Sequence, residues 1–126
     1  MVQSRTSSFL HVGDTGYCSA FKEIGERFGP ITLAAIREFP YFDSHCIQTF
    51  IAIGSYEPRW YMSHQHINPE EAIQIQRDLG AQVAVGVHWG TFIMSDEHLF
   101  EPASKIRALA AYQDFRILPF GRTIAL

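Results

Sequence analysis

Asp14 is the first residue with chemistry in reach. It stands in Gly13-Asp14-Thr15-Gly16, where glycines allow a tight turn that points a carboxylate off a strand end. A loop aspartate also bonds backbone amides well, so capping of the helix that starts nearby is the competing reading. His88 follows a valine-rich run, in His88-Trp89-Gly90-Thr91-Phe92. An imidazole there is held stiffly and can offer a neutral nitrogen to a metal; the plainer role is a part-buried histidine bonded to a carbonyl. His64-Gln65-His66 has the His-x-His spacing of metal ligands, in a segment that otherwise reads as polar loop. Just before it, Tyr56, Glu57, Arg59, Trp60, Tyr61 and Met62 cluster aromatic and charged groups. They could line an amphiphile pocket, with the rings facing acyl chains and Arg59 facing a phosphate, or pack as an ordinary loop.

These side chains must be carried by elements. Residues 9–13 read as a short strand running into the Asp14 loop, and residues 82–88 as a buried strand ending at His88. Apolar Phe21, Ile24 and Phe28 at helical spacing predict a helix from Ser19, its expected cap, to Gly29-Pro30. Asn68-Pro69-Glu70-Glu71 is a strong helix start, with a capping Asn, Pro at the first position and acids against the dipole; Gly80 ends that helix. Further expectations are strands over 31–36, 51–54 and 115–118, a helix over 102–112 and a loop over 55–68. Strands alternating with helices indicate α/β, and functional groups in such sheets gather at strand ends.

Composition excludes several classes. The 126 residues make one domain, and a net charge of −3 offers no basic field for nucleic acid and no polybasic patch for an anionic membrane. Cys18 and Cys46 form no Cys-x-x-Cys pair. Neither a signal peptide nor an apolar stretch of spanning length is read, so a cytoplasmic or peripheral-membrane location is expected. Gly-x-Ser-x-Gly, P-loop and dinucleotide fingerprints are absent.

Together the segments GDTGYCSAFKEIGERFGPITLAAI and IGSYEPRWYMSHQHINPEEAIQIQRDLGAQVAVGVHWGTF resemble the second half of the N-acylphosphatidylethanolamine-hydrolysing phospholipase D family, within the metallo-β-lactamase superfamily. IGSYEPRW and NPEEA are distinctive for that family; GDTG and HWGTF fit the wider superfamily. The resemblance implies an αββα sandwich, of which residues 1–126 are a partial domain, with a mixed sheet and helices on one side. It also implies a two-zinc site that releases N-acylethanolamine and phosphatidic acid from a membrane phospholipid. By the same resemblance Asp14 bridges the metals, His88 is a terminal ligand, His66 lies near the scissile phosphate, and Tyr56, Arg59 and Trp60 shape the lipid site. Residues 37–50 read as an insertion relative to the family.

The sequence has no His-x-His-x-Asp-His motif, which in the family supplies most of the metal ligands. Two ligands cannot hold a zinc pair, so the chain is expected to be inactive alone and to be a truncated or alternatively spliced product. Its valine-rich strand is then expected to lie open to water, inviting a second copy or a full-length family member. The alternatives are a non-catalytic half-domain that binds a partner and a metallo-β-lactamase-fold hydrolase acting on a lactone or nucleotide.

Overall fold

The computed structural model describes residues 1–3, 8–29 and 47–122. Its elements are β1 (Val2–Gln3), β2 (Ser8–His11), α1 (Ala20–Phe28), β3 (Ile47–Ala52), α2 (Arg59–Met62), α3 (Pro69–Asp78), β4 (Val83–Val87), α4 (Glu101–Leu109) and β5 (Asp114–Arg116). The strands form one sheet in the order β1-β2-β3-β4-β5. β1 pairs antiparallel with β2, and β2, β3, β4 and β5 run parallel, so the sheet is mixed, as expected.

Side chains alternate across each strand, and register decides which face each occupies. Thr49, Ala84 and Phe115 are neighbours across β3, β4 and β5, and Ile51 pairs with Gly86. On this face Ile51, Ile53, Ala84 and Phe115 join Phe21 of α1, Ala72, Ile73 and Ile75 of α3 and Ile106 of α4 in one core. The helices therefore pack on one side. α3 starts as its sequence demands: the Asn68 side chain accepts from the Glu71 amide while the Glu71 carboxylate accepts from the Asn68 amide, with Pro at the start of the helix. Ser19 occupies the cap position of α1, but its side chain makes no capping bond.

The opposite face differs from expectation. Val83 and Val85 are buried, at 7% and 3% exposure, rather than open to water. Val85 lies between Phe50 of β3 and Arg116 of β5 in register. Beyond it, Phe50, Val87, His88, Trp89, Leu118 and Phe120 line an apolar cavity of about 320 Å³. A naked valine sheet is thus not what this chain presents, and exposure of that strand does not argue for a second copy or a full-length partner.

Other boundaries shift. β3 begins at Ile47, so residues 47–50 of the segment read as an insertion are the start of the central strand. Residues 55–68 are not all loop, since α2 gives one helical turn whose amides bond back to Pro58 and Arg59. The fourth helix and last strand begin earlier than expected, at Glu101 and Asp114. The expected strand over 31–36, residues 37–46, His45 and Cys46 lie outside the described residues. Among the described residues no helix is long and apolar enough to cross a membrane.

Candidate metal centre

Parallel strands bring their carboxyl ends to one edge, and that edge assembles the site. Asp14 follows β2 and His88 follows β4 directly, with β3 between them. His66 arrives from the α2–α3 loop, its amide bonded to the Met62 carbonyl at 2.8 Å. Asp14, His66 and His88 each turn one donor atom inward, and these atoms lie within 4.8 Å of one another. His88 Nε2 is 3.7 Å from Asp14 Oδ1. The two imidazoles stack, with centroids 5.4 Å apart and planes at 23°. Their Nδ1 atoms are buried, and neither has a hydrogen-bond partner among the described residues. Two imidazoles and a carboxylate with donor atoms this close form a set that fits a cation, and the unpartnered Nδ1 atoms show that neither ring is tied up by protein hydrogen bonds at that nitrogen among the described residues. His64, the other histidine of the pair, is exposed and stands outside this group.

Two glycines permit this convergence. A Cβ on Gly16 would come within 2.6 Å of the Ser63 carbonyl oxygen and 2.9 Å of the His64 carbonyl, so the Asp14 loop lies directly on the backbone leading to His66. A Cβ on Gly54 would sit 2.3 Å from the His88 carbonyl oxygen. His88 itself has φ +60°, and Ser55, next to Gly54, has φ +66°. For residues other than glycine such values cost about 1–3 kcal/mol and persist only where the surroundings impose them. Sequence reading could place His88 behind a strand but had no signal for this left-handed turn, nor for the close approach of Gly54.

Around the cluster, the expected substrate-lining residues take distinct places. Tyr56 is buried, at 1% exposure. Its hydroxyl donates to Glu101 Oε1 at 2.7 Å, and Lys105 lies 5.2 Å over its ring. Burial first, then the Glu101 carboxylate, push its pKa well above the usual phenol range. Arg59 is committed internally: Nη2 donates to both carboxylate oxygens of Glu71 at 2.9 and 2.8 Å, and Nη1 to the His66 carbonyl at 2.8 Å. Trp60 is 82% exposed and lies beside Tyr61, their centroids 5.7 Å apart. Of the three, Trp60 alone presents its side chain openly to an incoming molecule.

Glu97 went unnoticed in the sequence, yet it anchors the chain that leaves His88. Its carboxylate accepts from the Ser55 amide at 2.6 Å, from the Glu57 amide at 3.0 Å and from the Ser95 hydroxyl. Burial alone would raise its pKa, but the Ser95 hydroxyl and the backbone amides outweigh burial and hold it below the usual carboxylate value. A depressed folded-state pKa stabilises the fold above the unfolded-state pKa and ceases to do so as pH falls through the folded value. Glu97→Gln is therefore expected to lose about 1–2 kcal/mol at pH 7, measured by urea unfolding, with the gap to the parent closing in acid below the normal carboxylate range. A gap that persists undiminished at low pH would show that the charge is not what Glu97 contributes.

Fold and site now define a class. Residues 1–89 match the beta-lactamase superfamily domain, and the chain belongs to that superfamily. Within it, the resemblance to the N-acylphosphatidylethanolamine-hydrolysing phospholipase D family holds. The chain is 42% identical over 103 residues to N-acyl-phosphatidylethanolamine-hydrolyzing phospholipase D 1 of Caenorhabditis elegans, covering 80% of this chain and 25% of that protein. It is 38% identical over 108 residues to the mitochondrial N-acyl-phosphatidylethanolamine-hydrolyzing phospholipase D of Saccharomyces cerevisiae, covering 85% of this chain and 20% of that one. Outer membrane protein RomA of Klebsiella pneumoniae is 32% identical over 97 residues, 70% of this chain and 61% of that protein. The chain thus spans a quarter or less of the two phospholipase relatives.

Proposed function

We propose that this chain supplies part of the zinc centre of a phospholipase D-type hydrolase that cleaves N-acylphosphatidylethanolamine to N-acylethanolamine and phosphatidic acid. The convergence of Asp14, His66 and His88 at one sheet edge carries this reading. In this reading Asp14 and His88 would hold the metal, with Asp14 in the bridging role that the family resemblance implies. His66 stands beside them to hydrogen-bond a phosphate oxygen or move a proton. Zinc, when bound, lowers the pKa of a coordinated water toward neutrality and offsets charge on the phosphoryl oxygens. The apolar cavity next to His88 supports a substrate with an acyl chain, and Trp60 is exposed and free to meet one.

Donor counting limits what the chain does alone. In the chain alone the His66 imidazole completes a set of three donors with Asp14 and His88, enough for a single catalytic zinc and short of two ions, each of which needs three or more. The remaining ligands come from a segment with the His-x-His-x-Asp-His motif, and without it the chain does not turn over phospholipid. The test is co-expression with such a segment from a full-length family member, followed by mass spectrometry of N-acylethanolamine released from vesicles containing N-acylphosphatidylethanolamine. Release that disappears on Asp14→Ala or His88→Ala is the expected outcome. A zinc-replete complex that leaves this lipid intact but opens a lactone or cleaves a nucleotide would replace the lipid reading with the other hydrolase one. A complex that takes up no additional zinc would favour the non-catalytic half-domain.

A further inference from the structure

Arg59 and Glu71 belong to separate sequence segments, IGSYEPRW and NPEEA, and the structure locks them together across His66. The Glu71 carboxylate does double duty. It accepts from the Asn68 amide at 3.0 Å, closing the cap of α3, and it receives Arg59 Nη2 through both oxygens at 2.9 and 2.8 Å. The same guanidinium turns its other nitrogen to the His66 carbonyl at 2.8 Å, and more distantly to the Tyr56 carbonyl at 3.4 Å. One planar fork thus ties the residue whose imidazole enters the metal cluster to the first turn of a buried helix. The fork is part-buried, with Arg59 and Glu71 side chains at 27% and 29% exposure, so water competes with it only in part.

We propose that Arg59 is a positioning residue for His66: it fixes the His66 carbonyl, and with it the direction of the imidazole, against a helix start made rigid by Glu71. This rests on the reading of Asp14, His66 and His88 as metal-holding groups. Among the described residues, backbone bonds hold His66 from one side only, through its amide to Met62. Its ring Nδ1 has no partner among the described residues that would orient it. The carbonyl bond to Arg59 supplies the second anchor. Lysine cannot replace it, because an ammonium does not span a carboxylate pair and a carbonyl in one plane.

The experiment compares Arg59→Gln, Arg59→Lys and Asn68→Ala in the full chain, reading the His66 imidazole carbon–proton resonances at fixed pH and the zinc affinity by competition with a chelator. Both Arg59 variants are expected to move the His66 resonances, leave those of exposed His11 in place, and weaken zinc binding by about 10–100-fold, the usual cost of removing a group that orients a ligand. Asn68→Ala removes the side-chain half of the same cap but leaves the guanidinium fork intact. It is expected to lower the melting temperature without moving His66. His66 resonances unchanged in folded Arg59→Lys, or shifted equally by Asn68→Ala, would overturn the proposal. Movement of His66 in Arg59 variants of a chain that binds no zinc at all would instead leave the positioning intact and sink the metal reading.

Discussion

His88→Ala is expected to lower the zinc affinity of the chain by roughly 100-fold or more, since loss of a direct ligand exceeds the 10–100-fold cost of losing a group behind one. The reason lies in the donor count: among the described residues, Asp14, His66 and His88 are the group of side chains whose donor atoms come within 4.8 Å of each other. Removing one imidazole leaves a carboxylate and a single nitrogen, too few for a tetrahedral ion with a water in its open position. Asp14→Ala is expected to behave alike. His64→Ala is the control, because His64 shares the His-x-His spacing with His66 but is exposed and lies outside the cluster. Isothermal titration with zinc separates these outcomes. Equal losses from His64→Ala and His88→Ala would mean that the spacing, not the sheet edge, makes the site.

Gly54→Ala is expected to destabilise the chain by about 3 kcal/mol or more, at the upper end of overpacking effects. The added methyl would meet the His88 carbonyl oxygen at 2.3 Å, and neither backbone can give way cheaply. Ile53, immediately before, is fully buried and donates its amide to the Val87 carbonyl at 3.0 Å, pinning the ends of β3 and β4 together. Ser55, immediately after, is held at φ +66° with its amide on Glu97. The melting temperature should fall by about 10 °C, with zinc binding weakened in whatever fraction stays folded because His88 is displaced. A variant with parental melting temperature would show that the two loops are not in contact.

Much of the scaffold was legible because its signals are local. Asn68-Pro69-Glu70-Glu71 announces a helix start through side chains that act on their own backbone, and the Asn68 cap forms as read, with Glu71 closing it into a capping box. Alternation of Val83, Val85 and Val87 with small residues marks a strand, and Asp14 and His88 fall just past strand ends, where chemistry gathers. What sequence could not supply was distance. Arg59 is a plausible phosphate ligand by type, but its guanidinium lies on Glu71, a residue with no sequence mark beyond helix-start acidity. Tyr56 looks like a lipid-facing ring until burial and the Glu101 bond place it inside. Burial of Val85 depends on cross-strand neighbours such as Phe50, which periodicity along one strand cannot reveal. Glu97 was missed for the same reason: a carboxylate that gathers two distant amides carries no pattern in its own neighbourhood.

The most direct measurement is the number of zinc ions held by a purified, monomeric sample of the chain, by native mass spectrometry after dialysis against excess zinc. One ion per chain is expected, lost on His88→Ala and retained on His64→Ala. No zinc at any concentration, or a tightly held pair in the monomer, would contradict a site built from one carboxylate and two imidazoles.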